Sequence, residues 1–153
     1  MAIGIAESIA FIQAAMQAID LYARYGGDRQ QFIQTLNLEY HPQKYVEIEE
    51  KVVALGPSYT GVFSATRTRV QECMDNLQDG ILDNLLPNER ARLGDAAKSC
   101  VCRQIKILKD FMGERIPPEL RKVWQEHDCD DFFTSLNTGT TRGLDRVRQP
   151  ETA

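Results

Sequence analysis

The chain has 153 residues, 42% of them hydrophobic and 26% charged, with 18 Lys and Arg against 22 Asp and Glu. That is the length of one domain, enough to bury about 70% of the surface an unfolded chain exposes, and the apolar content excludes a disordered chain. The formal charge of -4 argues against whole-molecule attraction to nucleic acid or anionic lipid and leaves only local patches for such roles.

The first segment, from about Ile3 to Tyr25, repeats Ile5, Ile9, Ile12, Met16 and Ile19 at the spacing of one helical stripe. Phe11, Ala15 and Tyr22 widen that face, and Ser8, Gln13, Gln17 and Arg24 form the polar side. Gly26-Gly27 stops the helix, because glycine tolerates the positive φ of a C-cap. Asp28 then caps a short helix carrying Phe32, Ile33 and Leu36. Beyond His41-Pro42, the stripe Tyr45, Ile48, Val52 and Leu55 predicts a helix with Glu47, Glu49, Glu50 and Lys51 on its wet face. A strand over Lys44 to Leu55 is the competing reading.

Gly56-Pro57 punctuates the chain before its longest periodic run, Val62 (or Phe63), Thr66, Val70, Met74, Leu77, Ile81 and Leu85. Gly80 weakens that run by up to about 1 kcal/mol relative to alanine and marks a kink or break. Leu86-Pro87-Asn88-Glu89 turns into a helix that reaches about Met112. Leu93, Ala97, Val101, Ile105 and Leu108 fall on one side of it, with Lys98, Arg103, Lys106 and Lys109 opposite. Pro117-Pro118-Glu119 opens a short helix with Leu120, Val123 and Trp124. The expected fold is all-α: a single antiparallel helical bundle of four main helices plus one or two short ones over residues 1–136, then a flexible polar tail over 137–153.

The apolar start does not read as a secretory signal: no Lys or Arg precedes it, Glu7 interrupts it, and no small-residue cleavage site follows. Ser8, Gln13, Gln17 and Asp20 make it too polar for a spanning helix. A cytoplasmic location is expected. Cys73, Cys100, Cys102 and Cys129 permit two disulfides, but without a visible secretory route reduced thiols are the expectation. Cys100 and Cys102 lie about 200° apart on a helix and would share a zinc ion only if the helix broke.

Signatures of catalysis are missing: there is no GxxxxGK followed by Ser or Thr, no GxGxxG, no GxSxG and no HExxH. No enzyme activity, cofactor or small-molecule substrate is inferred. The densest polar run is Glu126-His127-Asp128-Cys129-Asp130-Asp131. Neighbouring residues there point in different directions, and carboxylates raise a thiol pKa instead of activating it. A solvated acidic turn is the simpler reading. Residues 87–115 hold seven bases against four acids, and residues 116–137 two bases against five acids. These blocks fit intramolecular complementarity, or a basic face of Lys98, Arg103, Lys106 and Lys109, joined by Arg67 and Arg69, that docks phosphates. No aromatic residues interleave those bases as a single-strand stacking platform requires, so nucleic acid is the less favoured partner.

Gly4-Ile5-Ala6-Glu7-Ser8-Ile9-Ala10-Phe11-Ile12-Gln13 resembles the first helix of HeLo-like helical domains, and Leu93 to Leu108, with Cys100 in an apolar and basic helix, resembles a later one. The resemblance is confined to those two segments. It implies a helical bundle used in signalling or membrane-targeted cell death, and it carries over no functional residue beyond the first helix as a class. A single-domain acidic bundle with paired arginines before a long helix and a polar C-terminal tail is also similar to the coat subunit of rod-shaped plant viruses, although their tract of paired arginines and aspartates is not reproduced.

These observations lead to a non-enzymatic bundle that works through contacts with another protein or with copies of itself. Ile5, Ile9, Ile12 and Met16 form either its core or its contact stripe, and Lys98, Arg103, Lys106 and Lys109 a second surface. The alternative is a membrane-active effector whose first helix inserts into lipid, although only Arg24 supplies the basic polar face usual for such helices.

Overall fold

The computed structural model describes residues 4–82 and 84–138, and among them every regular element is helical. The elements are α1 (Ile5–Tyr25), α2 (Arg29–Glu39), a 3-10 turn (Pro42–Tyr45), α3 (Val46–Val53), α4 (Pro57–Gly80), α5 (Pro87–Met112), a second 3-10 turn (Gly113–Arg115), α6 (Pro118–Glu126) and α7 (Cys129–Thr138). The all-α expectation therefore holds, with seven α-helices in place of four main and one or two short ones. The segment expected as one helix from Tyr45 to Leu55 divides into a turn started by Pro42 and the two-turn α3. Of the polar tail expected over 137–153, residues 137–138 end α7 and residues 139–153 lie outside the described residues.

α1 is the axis of the core. Ile5, Ile9, Ile12, Met16 and Ile19 are all fully buried, and so are Ala14, Ala15 and Ala18 on its other sides. A helix apolar over so much of its circumference must be enclosed on several sides. Here α2, the first 3-10 turn, α3, α4, α5 and α6 all pack against it. Small residues set how close they come: a Cβ placed on Gly94 of α5 would stand 2.9 Å from Ala23 Cβ of α1.

The ends of α1 are closed by its sequence neighbours and by α3. The Gly4 and Ala6 amides donate at 3.1 Å to the carboxylates of Glu7 and Glu49, respectively. Glu49, expected on a wet face, is thus a cap supplied across the fold to an N-terminus that favours negative charge. At the other end Gly26, at φ 76°, donates its amide to Tyr22 O. Asp28 and Gln31 exchange side-chain and backbone hydrogen bonds at the start of α2, the reciprocal box that the capping reading of Asp28 anticipates.

Gly80 is where α4 ends. Ile81 is extended at φ -77° and ψ 114° yet stays in the core, while Leu82 turns out to solvent. The helical stripe expected to continue through Ile81 to Leu85 stops there.

The cysteines correct the sequence reading. All four are paired, Cys73 with Cys100 and Cys102 with Cys129, each pair 27 residues apart. The geometry that kept Cys100 and Cys102 from sharing a metal is what lets α5 be stapled on two sides, to α4 and to the start of α7. Cys73, Cys102 and Cys129 are buried and Cys100 is half-buried, and the pairing depends on which helices lie beside α5.

Candidate contact surface at the end of the bundle

The polar groups with the most chemical promise serve to hold the helices together. Lys98 of α5 pairs with Asp20 of α1, and His127 Nδ1 lies 3.0 Å from the other Asp20 oxygen. His127 is buried and sits in the turn after α6. Burial pushes the Asp20 carboxyl up, but His127 and Lys98 outweigh it and hold the group below its ordinary range. The cluster joins α1 to α5 and to the α6–α7 turn.

The acidic run around His127 disperses. Glu126 faces Lys122 at 3.9 Å, Cys129 is in a disulfide, and Asp130 accepts from Trp124 Nε1 at 2.9 Å. Among the described residues no three His, Cys, Asp or Glu side chains converge as a metal ion requires.

The expected basic face is likewise divided. Lys98 is bound to Asp20, Lys106 to Asp110 across one helical turn at 3.0 Å, and Lys109 Nζ lies 3.9 Å above the Trp124 ring. Arg103 alone of the four stands exposed without an ion pair among the described residues. Arg67 is half-buried with its guanidinium 3.5 Å above the Phe11 ring and donates to Gln71, so it fastens α4 to α1. Ile5, Ile9, Ile12 and Met16, the other candidate contact residues, are fully enclosed. In this fold they are core and offer no contact surface.

What the bundle does present is at one end, where α1 stops, α2 starts and the α4–α5 connection passes. An open cleft of about 430 Å³ lies there, lined by Tyr22, Tyr25, Gly26, Gly27, Leu82, Leu85 and Arg90, among others. Of its lining residues Tyr25 is 71% accessible and Leu82 64%, and Leu86, which follows the lining Leu85 in the chain, is 60% accessible. Among the described residues Arg90 donates one long hydrogen bond, 3.3 Å to Leu85 O, and its buried Nε has no partner. The glycine backbone makes room for it, since a Cβ on Gly26 would come within 3.1 Å of Arg90 Nε. Burial raises the pKa of the neighbouring Tyr22 hydroxyl, and the Arg90 charge acts in the opposite direction. Arg24 and Arg92 are exposed nearby, the first beside the Tyr25 ring and the second in the adjoining cleft with Gly80, Leu85 and Leu93. Asp28 also lines the cleft and Glu89 the adjoining one, and each caps a helix start, Asp28 accepting from Gln31 N and Glu89 from Leu86 N.

Sequence reasoning missed this surface. Gly26-Gly27 and Leu85-Leu86-Pro87 read separately as two turns 60 residues apart, and neither contains a motif. A signal was present in the leucines left over once the helical stripe stopped at Gly80. No protein-family model, no curated protein and no solved structure matches the chain.

Proposed function

We propose that the chain is a non-enzymatic helical module that acts by binding protein, either a partner or copies of itself, through the Tyr25–Leu82–Leu86 end of the bundle. Two large exposed side chains around an arginine-bearing cleft, Tyr25 and Leu82, with exposed Leu86 one residue beyond the lining Leu85, support this reading, since soluble domains rarely leave such groups grouped in solvent without a use. The Asp20–Lys98–His127 cluster supports it indirectly, because it is engaged in joining helices. Signalling or defence is the setting that the resemblance to HeLo-like domains implies.

The membrane-effector reading has one observation in its favour: both disulfides lie C-terminal to α1, so no covalent bond holds that helix in place. Against it, release would expose residues that the fold buries along nearly the whole of α1. Among the described residues no helix is long and apolar enough to cross a membrane. Contact through the tip is therefore the better-supported function.

The test is affinity capture from native cells with the wild-type protein and with the double variant Leu82→Asp, Leu86→Asp, followed by mass spectrometry. Both sites are exposed, so the variant is expected to keep the wild-type circular dichroism spectrum and to lose its bound proteins. An unchanged set of bound proteins would remove the tip from the function.

A further inference from the structure

The last two helices form a small unit of their own. α6 has nine residues and α7 ten, lengths at which an isolated helix is marginal in water. They are fastened to each other first: the Trp124 ring stacks on Phe133 with centroids 5.5 Å apart, and its Nε1 donates to Asp130 at 2.9 Å. The unit joins the bundle through the 3-10 turn Gly113–Arg115, whose three residues are exposed. Gly113 has φ 60°, and a Cβ placed on it would meet nothing within 4 Å. A glycine at positive φ in open space is a point about which the α6–α7 pair can swing.

What the pair covers belongs to other helices. α6 packs against α1 and α5, and α7 against α5. Leu120, Val123, Trp124 and Cys129 are buried, as is Ile116 just before α6. Two side-chain contacts add to that hold: His127 Nδ1 lies 3.0 Å from Asp20 of α1, and Lys109 Nζ of α5 3.9 Å above the Trp124 ring. The entropy of ordering two helices and the turn between them offsets much of what these few side chains gain. The remaining attachment is covalent, from Cys102 of α5 to Cys129 at the start of α7, and both residues are fully buried. The other bond, Cys73–Cys100, joins α4 to α5, which pack together more extensively than any other two elements. That bond fastens helices already held by packing, whereas Cys102–Cys129 fastens a pair that packing holds weakly.

We propose that α6–α7 is a strap latched by oxidation: with Cys102 and Cys129 as thiols the pair swings away about Gly113 and uncovers the sides of α1 and α5 beneath it, and formation of their bond closes it. The oxidant is a small-molecule disulfide of the glutathione class. The Cys102 thiolate attacks one of its sulfurs and expels one thiol, and the Cys129 thiolate then attacks the Cys102 sulfur and expels the second. Two protons and two electrons pass from the cysteines to the oxidant, which leaves as two thiols. Closure buries both cysteines, so the closed latch is shielded from thiols in solution and reopens only when the strap lifts. The strap is closed where disulfides form and open where thiols are kept reduced.

Trp124 is the only tryptophan of the chain and reports on the strap. The test uses the full-length variant Cys73→Ala with Cys100→Ala, which keeps only the latch, purified with its thiols reduced and then treated with glutathione disulfide. Acrylamide is expected to quench Trp124 severalfold more strongly before the oxidant than after it has consumed both thiols. Hydrogen exchange read by mass spectrometry is expected to run roughly a hundredfold faster over residues 118–138 in the reduced form, with α1, α4 and α5 protected alike in both forms. The variant Cys102→Ala with Cys129→Ala, which keeps the other bond, gives the open state independently and is expected to match the reduced form in both readings. A Trp124 as shielded in these open forms as in the oxidised protein overturns the proposal, because packing alone then holds the pair. Loss of protection along the whole chain on reduction overturns it as well, since the bond would then support the entire bundle. So does an oxidised protein in which both thiols are consumed and Trp124 stays accessible.

Discussion

α1 to α3 contain no cysteine, whereas α4 to α7 contain all four, joined in two consecutive loops that share α5. The N-terminal part is held by burial: its first helix is enclosed by six other elements and contributes the largest continuous block of core. The C-terminal part is held by burial and by covalent staples, and its helices α6 and α7 have few turns of their own. Short helices bury little surface each and gain most from a constraint on the unfolded chain. A long helix enclosed on several sides needs no such constraint. The two parts meet at Asp20, which α1 extends toward Lys98 of α5 and His127 of the α6–α7 turn.

The largest expected effect is on the unstapled part. Ile9 is fully buried, so Ile9→Asp places an unpaired carboxylate in the core at a cost of about 5 kcal/mol or more, comparable to the whole stability of an ordinary domain. Loss of the cooperative thermal transition by circular dichroism is the expected outcome. A variant that stays folded but no longer floats with anionic vesicles would instead identify α1 as a lipid-inserting helix.

A smaller effect is expected on the stapled part. Closing a loop of this length constrains the unfolded chain by about 3 to 4 kcal/mol per disulfide. Denaturant melts of the double variants Cys73→Ala with Cys100→Ala, and Cys102→Ala with Cys129→Ala, measure each loop separately. Both members of the second pair are fully buried while Cys100 of the first is partly exposed. Mild thiol treatment should therefore open the Cys73–Cys100 bond first, which alkylation and mass spectrometry will show. Disulfides belong to oxidising compartments, and the same alkylation on freshly lysed native cells tests the cytoplasmic location expected from the sequence: free thiols would support it, and blocked ones would oppose it.

The smallest effect belongs to the seam. Asp20→Asn should cost about 1 to 2 kcal/mol, between the values for exposed and buried pairs, because the carboxylate is partly accessible. The folded state holds this carboxyl below its ordinary value. Its stabilising contribution is therefore complete above the usual carboxylate range and is lost as pH falls through the depressed pKa. Denaturant melts at pH values from neutral down to about 3 should show an acid-side loss in the wild type that is smaller in Asp20→Asn. Equal acid sensitivity in the two proteins would remove Asp20 from the seam.

Periodicity and punctuation alone were enough to determine the helical class, the isoleucine stripe of α1 and most helix boundaries. Those features are local: a stripe at 3.6-residue spacing, a glycine at positive φ and a proline in a first turn act over a few residues of chain. The capping role of Asp28 and the end of α4 near Gly80 belong to the same class. Everything that depends on which segments become neighbours was decided by the tertiary structure. Glu49 looked like one more solvated carboxylate until α3 brought it to the start of α1, and Lys98 looked like one of four equivalent bases until Asp20 faced it. Cys100 and Cys102 lie on opposite sides of α5 by helix geometry, a fact visible in the sequence, but what lies opposite each of them follows only from packing. The same holds for the exposed cleft at the end of the bundle, since surfaces assembled from turns and helix ends far apart in the chain have no local pattern to announce them.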